Sequence, residues 1–329
     1  YTYRFGGGWS ATLAVEDGGA NAAGANPVGT ARGRLVVDLN QGGNLALGGM
    51  TIDNGAYGLP DIVANVRYDQ AWGSVQLSGA LHQNKGGYYS GPAGCGAGFT
   101  ANTETCGYPD DEMGYAVSLG VVLNNVFGMQ GDSISLYGSM AHGAVAYTTR
   151  GTGAWRMWGS GRSVGLGWAM DSVFVSGGQL ELIDSWQVQG AYEHRWNSQW
   201  KTSIWGGYVN IDYGSGATAL VCSNPLVTAP GTTLVGRQVL GATAGLIVSN
   251  CDPDFSFWNV GTRTQWNPHP MLDIGIDLQY FRVNSAFRGQ AAVPADGARV
   301  GTTSNSTVVN VEDQDHLGAF FRIQYNMLP

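Results

Sequence analysis

Charge is scarce in this chain. Asp, Glu, Lys and Arg together make up 12% of its 329 residues, about half the share usual in soluble globular proteins. Lysine is nearly missing: Lys85 and Lys201 are the only two. No stretch reaches ~18 consecutive apolar residues, which excludes a transmembrane helix. No basic-then-apolar leader opens the chain, so any signal peptide is expected to have been removed already. The formal net charge of -8 argues against nucleic acid as a partner.

Catalytic and metal-binding patterns are missing too. The histidines are His82, His142, His194, His269 and His316, and none stands at metal-ligand spacing from another. No G-x-S-x-G nucleophile elbow occurs. The run GSGRSVGLG at 159–167 lacks the lysine of a phosphate-binding loop, and its surroundings are not strand-then-helix. Acidic clusters at 110–112, 252–254 and 312–315 offer the oxygen ligands that Ca2+ prefers. Without regular loop spacing they read as solvated loop charge. No enzyme activity, metal or cofactor is therefore expected.

Glycine and aromatics are abundant instead: 52 Gly, 11 Trp and 15 Tyr. Mean hydropathy is close to neutral at -0.08. The decisive pattern has period two. In DIVANVRYD at 61–69, Ile62, Ala64, Val66 and Tyr68 share one face, and Asp61, Asn65, Arg67 and Asp69 share the other. WGSVQLSGALH at 72–82, MGYAVSLGVVLN at 113–124 and HLGAFFRIQYNM at 316–327 alternate in the same way. Such segments are strands with one apolar and one wet face. Strands are expected at 1–5, 9–16, 61–70, 72–82, 113–124, 133–147, 183–196, 200–213, 255–267, 272–284 and 316–328. Many are long enough to cross a bilayer at a tilt, which takes ~9–11 residues. Segments 33–39 and 163–176 are ambiguous.

Short and long connections alternate along the chain. The short ones fall at Gly6-Gly7-Gly8, Ala71-Trp72, 125–132, 197–199 and 268–271; the long ones at 17–60, 83–112, 148–182, 214–254 and 285–315. Tight turns at one end and long loops at the other mark a transmembrane barrel. Strands 61–70 and 72–82 should pair through the tight turn at Ala71-Trp72. Trp9, Trp72, Phe127, Trp196, Trp200 and Trp266 all lie near short turns, where amphipathic rings would sit at the headgroup level. The expected fold class is all-β, a single antiparallel transmembrane barrel domain over 1–329 with about eleven strands.

Strand parity places Arg4, Arg67, Arg195, Lys201, Arg263 and Arg322 on the wet face, with Glu16, Asp69, Glu193, Asp273 and Asp277. These are the candidate pore-lining residues. An arginine facing lipid would cost ~2–4 kcal/mol at mid-membrane, which supports the same assignment. His82 and His316 read as wet-face residues. Arg282 falls on the apolar parity near a strand end. The cysteines form two sequence-local pairs, Cys95 with Cys106 and Cys222 with Cys251. Of the three connectivities that four cysteines allow, closing the two short loops is the simplest, and it requires an oxidising compartment.

The segments YTYRFGGGWSATLAVEDG (1–18), PDIVANVRYDQAWGSVQLSGALH (60–82), AYEHRWNSQWKTSIWGGYVNIDY (191–213), DFSFWNVGTRTQW (254–266) and FFRIQYN (320–326) resemble the porins of alphaproteobacteria, of the Brucella and rhizobial type. The resemblance spans nearly the whole chain. It implies a 16-stranded outer-membrane barrel, usually a homotrimer, with an inward-folded third loop narrowing the pore. In that frame YTYRF is about the sixth strand, so five strands and the constricting loop are expected to lie outside this chain. One departure is the end, Met327-Leu328-Pro329, where such porins commonly finish on an aromatic; Tyr325 is the last one here. The implied function is passive diffusion of small hydrophilic solutes and ions through a water-filled channel in the bacterial outer membrane. The implied partners are outer-membrane lipid, lipopolysaccharide and two further copies of the chain. The alternative is a structural barrel that presents loops to partners; a barrel enzyme is a third reading, with no Ser–His pair to carry it.

Overall fold

A computed structural model of the protein describes residues 1–16, 35–39, 58–89, 103–149, 151, 153–159, 162–223, 227–228, 238–239, 242–243, 245–294 and 306–325. One eleven-stranded sheet dominates it. Its strands are β1 (Thr2–Gly6), β2 (Trp9–Glu16), β3 (Asp61–Gln70), β4 (Gly73–Asn84), β5 (Glu112–Asn124), β6 (Ser133–His142), β7 (Asp184–Arg195), β8 (Trp200–Asp212), β9 (Phe255–His269), β10 (Leu272–Asn284) and β11 (Gln314–Tyr325). Each pairs antiparallel with its neighbour in chain order, so the wall is a meander with β1 and β11 at its edges. The expected hairpin is present in register, from Gln70 opposite Gly73 to Ile62 opposite Leu81.

Register turns the alternation of single strands into two continuous faces, because residues directly opposite share a face. Val66, Leu77, Leu119, Gly138, Val188, Tyr208 and Trp258 form one such row. This face is apolar yet open: Leu13 is 57% exposed, Leu77 54% and Ile276 55%. A water-soluble protein does not leave an apolar sheet face of this extent uncovered; a lipid-facing wall does.

Aromatics bound this band at both ends. Near the short turns, Trp9 packs on Tyr68 at 4.5 Å and Trp200 stacks on Trp266 at 5.7 Å. A second row, not read from the sequence, lies toward the long connections, where Trp186 meets Tyr208 and Trp258 meets Tyr280, each at 5.2 Å. From Trp200 to Tyr208 the strand rises ~26 Å at ~3.3 Å per residue, which suits a tilted crossing of the ~25 Å apolar band of such barrels. Arg282 stands opposite Asp315 on the apolar parity, at the outer aromatic row, and its guanidinium meets Asp313 at 3.1 Å. It needs no bulge to be accommodated, because the polar rim is within its reach.

The turns explain some of the glycines. Gly8 has φ +93, and a Cβ there would strike the Asp69 carbonyl; Gly73 has φ +146, and a Cβ there would strike the Val122 carbonyl. The turn at 125–132 is built differently. Asn125 and Phe127 adopt left-handed φ values of 53 and 57, and Asn125 Oδ1 accepts from Gly131 N at 2.9 Å. Asp132 then ties the turn to β7. Its buried carboxylate accepts from the Arg195 backbone N–H at 2.9 Å and the Tyr192 hydroxyl at 2.6 Å, and meets His194 Nδ1 at 2.8 Å.

One expectation about strands needs correction, and two ambiguous segments are resolved. The segment 133–147 is not one strand: β6 stops at His142, Gly143 turns at φ +58, and the short helix α1 (Ala146–Thr149) follows. The ambiguous segments 33–39 and 163–176 do hold strands, Val36–Asp38, Ser163–Ala169 and Ser172–Phe174, but none belongs to the wall. They join smaller sheets built from the long connections, together with helix α2 (Gly214–Ser223). Cys222 at the end of α2 is bonded to Cys251. Cys106 is also disulfide-bonded; Cys95, its expected partner, lies outside the described residues, as do 326–328 of the expected last strand.

The arginine N–H, the tyrosine hydroxyl and His194 hold the Asp132 carboxyl down at about 2. A lowered folded-state pKa adds stability above the unfolded value of ~4, and that stability is lost as pH falls through the folded value. Asp132→Asn is therefore expected to lower the thermal midpoint of the barrel in detergent at pH 7. The gap to the parent should close as the pH approaches 2. Circular-dichroism melts across that range check it; a gap that persists at pH 2 would show that the hydrogen-bond geometry, not the charge, holds the turn.

Candidate functional site

The face opposite the apolar row is polar. Strand parity and register put Arg4, Glu16, Arg67, Asp69, Glu193, Arg195, Lys201, Arg263, Asp273, Asp277 and Arg322 all on it. Most of these charges stand in the half nearer the short turns; Glu16 lies at the other end, opposite Asp61. Three pairs form within the face. Arg67 Nη2 meets Asp69 at 2.8 Å, and Lys201 Nζ meets Glu193 at 3.1 Å. Arg263 Nε sits 3.0 Å from Asp277 Oδ1 without aiming its N–H at it, a charge contact rather than a hydrogen bond. Gln265 donates to Asp273. Among the described residues Arg4, Arg195 and Arg322 make no ion pair.

The other end of this face is covered. The described residues of the connection between β6 and β7 pack across it. Trp168, Leu166 and Met170 pack with the wall residues Val209, Ile211 and Phe255, all of polar-face parity. Trp155 stacks on Phe257 at 4.4 Å, and Gly167 lies so close to Phe255 that no Cβ would fit. Tyr213 at the end of β8 is buried and donates its hydroxyl to the Trp168 carbonyl at 2.8 Å. Burial pushes that phenol well above its ordinary pKa. At the other flank, Ala144 and Tyr147 pack against Ala80, Ala116, Ala141 and Val63. A segment within the chain thus folds over the outer end of the polar face.

A buried polar knot pins the fold-in. His82 is on the expected face, but it is only 4% exposed rather than wet. Its Nδ1 lies 2.9 Å from Asp61 Oδ1, and Tyr147 donates to Asp61 Oδ2 at 2.7 Å. Asp171 faces the ring from the other side, 3.9 Å from Nε2. It also accepts the backbone N–H groups of Leu35 and Val145, each at 2.7 Å. Burial raises the Asp171 pKa, and the His82 ring and the two N–H groups oppose that rise.

A signal for this cover was present in the sequence. On the polar-face parity, β8 runs from Lys201 to Val209 and Ile211, and β9 starts with Phe255 and Phe257. The wet-face parity of both strands thus turns apolar toward the long connections, which a water-filled mouth would not favour but a packed segment requires.

The family model described as the porin subfamily matches residues 1–320. Among solved structures, the chain is similar to the outer membrane channel DcaP of Acinetobacter baumannii, with a TM-score of 0.51 and 12% identity over 98% of this chain. The chain spans 61% of that channel's length. A weaker likeness, with a TM-score of 0.34 and 10% identity over 99% of this chain and 49% of the other, is to the ferric-catecholate import receptor Fiu from E. coli K12 in its open form. No curated protein matches the chain.

Trp168→Ala should release the in-folded segment and spare the wall, since emptying a buried tryptophan site costs ~3–5 kcal/mol. Hydrogen exchange should rise across 163–175 and stay unchanged in β3 to β6. Unchanged exchange in 163–175 would mean that the Asp171–His82 knot, not the apolar core, holds the segment.

Proposed function

The chain belongs to the porin subfamily, and from that membership we propose that its wall encloses a water-filled channel for passive diffusion of small hydrophilic solutes and ions. The observation that carries this reading is the two-faced wall: an exposed apolar face bounded by aromatics, backed by a polar face set with charges. A porin-subfamily chain of this fold resides in the bacterial outer membrane, and the family points to a channel rather than an enzyme. Lipid and lipopolysaccharide would cover the apolar face, and the assembly would be a homotrimer. The edges β1 and β11 would find partners in a closed barrel, because an unpaired strand edge is not tolerated in hydrocarbon.

In this reading the eleven charged residues of the polar face line the channel. Three ion pairs cancel much of their own field, so Arg4, Arg195 and Arg322 contribute most of the uncompensated positive charge on the wall. Each pair is partly open to water and adds little stability. Their service is to keep a narrow passage polar without a strong bias.

Reconstitution in planar bilayers tests the channel: steady, ohmic conductance steps are expected, and their absence would sink the reading. Replacing Arg67 and Arg263 together by Gln leaves Asp69 and Asp277 unpaired. The reversal potential under a salt gradient should then move toward cation preference. The shift should be larger in dilute salt, because the Debye length grows from ~10 Å at 0.1 M to ~30 Å at 0.01 M. No shift at either concentration would place these pairs away from the ion path.

A further inference from the structure

Between the charged half of the polar face and the in-folded segment lies a zone without net charge. It forms a hollow of about 410 Å³ against β3 to β9, inside the ~300–1,000 Å³ range of small-molecule sites. Its polar groups are amides and hydroxyls: Gln76, Gln189 and Asn259 with Ser78, Ser118 and Ser135. Among the described residues the only charged side chain lining it is Arg67, which pairs with Asp69. Two aromatic rings complete the lining, Tyr137 and Trp205. Both lie over bare backbone, with Tyr137 across Gly120 and Trp205 across Gly261, where a Cβ would meet its indole ring at 2.5 Å. The glycines therefore set the rings down along the wall.

A smaller cavity joins the hollow at Ser78, Ser118 and Tyr137 and runs up to Tyr147 of the in-folded segment. Ser139 lines it, 8% exposed, and its buried hydroxyl has no hydrogen-bond partner among the described residues. A buried hydroxyl left unpaired costs ~1–3 kcal/mol, so a polar group arriving from outside would be favoured there.

From this lining we infer that the hollow is a binding subsite for a neutral saccharide, a specificity element resting on the channel reading. Side-chain amides and hydroxyls both donate and accept, which matches sugar hydroxyls and does not match a bare anion or cation. The C–H faces of a pyranose are apolar and lie flat on aromatic rings, which Trp205 and Tyr137 supply. The absence of uncompensated charge in the lining gives an ionised ligand nothing to pair with after desolvation.

The probes are maltose, maltobionate, whose reducing ring is opened to a gluconate, and maltitol, the neutral open-chain counterpart against which maltobionate is compared. Calorimetry on the full protein in detergent reads binding alone, and current block in planar bilayers reads the channel. Maltose is expected to bind and to block, with maltobionate weaker than maltitol. Trp205→Ala should raise the half-blocking concentration about tenfold, with Trp205→Phe recovering part of it. Tenfold corresponds to ~1.4 kcal/mol. Gln189→Leu, away from the ring, should weaken maltose in the same direction. Conductance without maltose binding overturns the subsite and leaves the channel. Maltose binding without conductance supports the subsite and overturns the channel. Maltobionate binding as tightly as maltitol overturns the neutral class.

Discussion

The structure depends on one constraint: backbone N–H and C=O groups in hydrocarbon must be satisfied by the chain itself. An antiparallel ladder meets it strand by strand, with β3 to β10 each bonded on both sides. Everything else follows from the period of that ladder. Alternate residues must suit lipid, and the residues between them must suit what lies behind the wall. This is why so few charges suffice, and why those on the lipid-facing parity stand only at the outer strand ends. Arg282 with Asp315, and Asp184 with Asp212, lie there, Arg282 at the aromatic rim with Asp313 in reach.

Toward the long connections the wall meets a third environment. There the face opposite lipid is neither water-lined nor charged but packed against 143–183. The same alternation that separates lipid from water is overwritten by Val209, Ile211, Phe255 and Phe257. The buried aspartates that anchor the segment accept backbone N–H groups and the Tyr147 hydroxyl. Backbone N–H groups outside the helical and sheet ladders need acceptors, and Asp171 serves two, Val145 on its own segment and Leu35 on the connection between β2 and β3.

The wall was legible in the sequence because two signals reinforce each other: strict alternation, and short connections alternating with long ones. The Ala71-Trp72 turn fixed the register of β3 on β4 with no freedom left. The charged wall positions followed from parity alone. What parity does not carry is pairing: Arg67 with Asp69 lies two residues apart on one strand, whereas Arg263 with Asp277 crosses to the next. Nor does local pattern reveal where a long connection goes. His82 has the parity of a wet residue, and only the return of Asp171 from far along the chain makes its surroundings dry. The outer ends of β8 and β9 did carry a hint, since Val209, Ile211, Phe255 and Phe257 are apolar on the wet-face parity. Alternation read over whole strands averages that hint away.

The polar face is thus graded along the strands. Ion pairs occupy the half near the short turns, neutral amides and hydroxyls the middle, and an apolar contact with the in-folded segment the far end. A gradient of this kind has an electrostatic consequence. Paired charges at close range act as dipoles whose field falls off steeply, while unpaired Arg4, Arg195 and Arg322 act at the full Debye range. Acids outside the wall, such as Asp212, Asp252 and Asp254 beside the disulfide-bonded end of α2, stand at the opposite mouth. The formal net charge of -8 is therefore not spread evenly along the passage. In the proposed channel, ions from the short-turn end would meet the arginine-bearing wall and those from the other end the acids beside α2, with the neutral middle between them. On the same reading, a solute held by hydrogen bonds and ring contact rather than by charge would bind at that level.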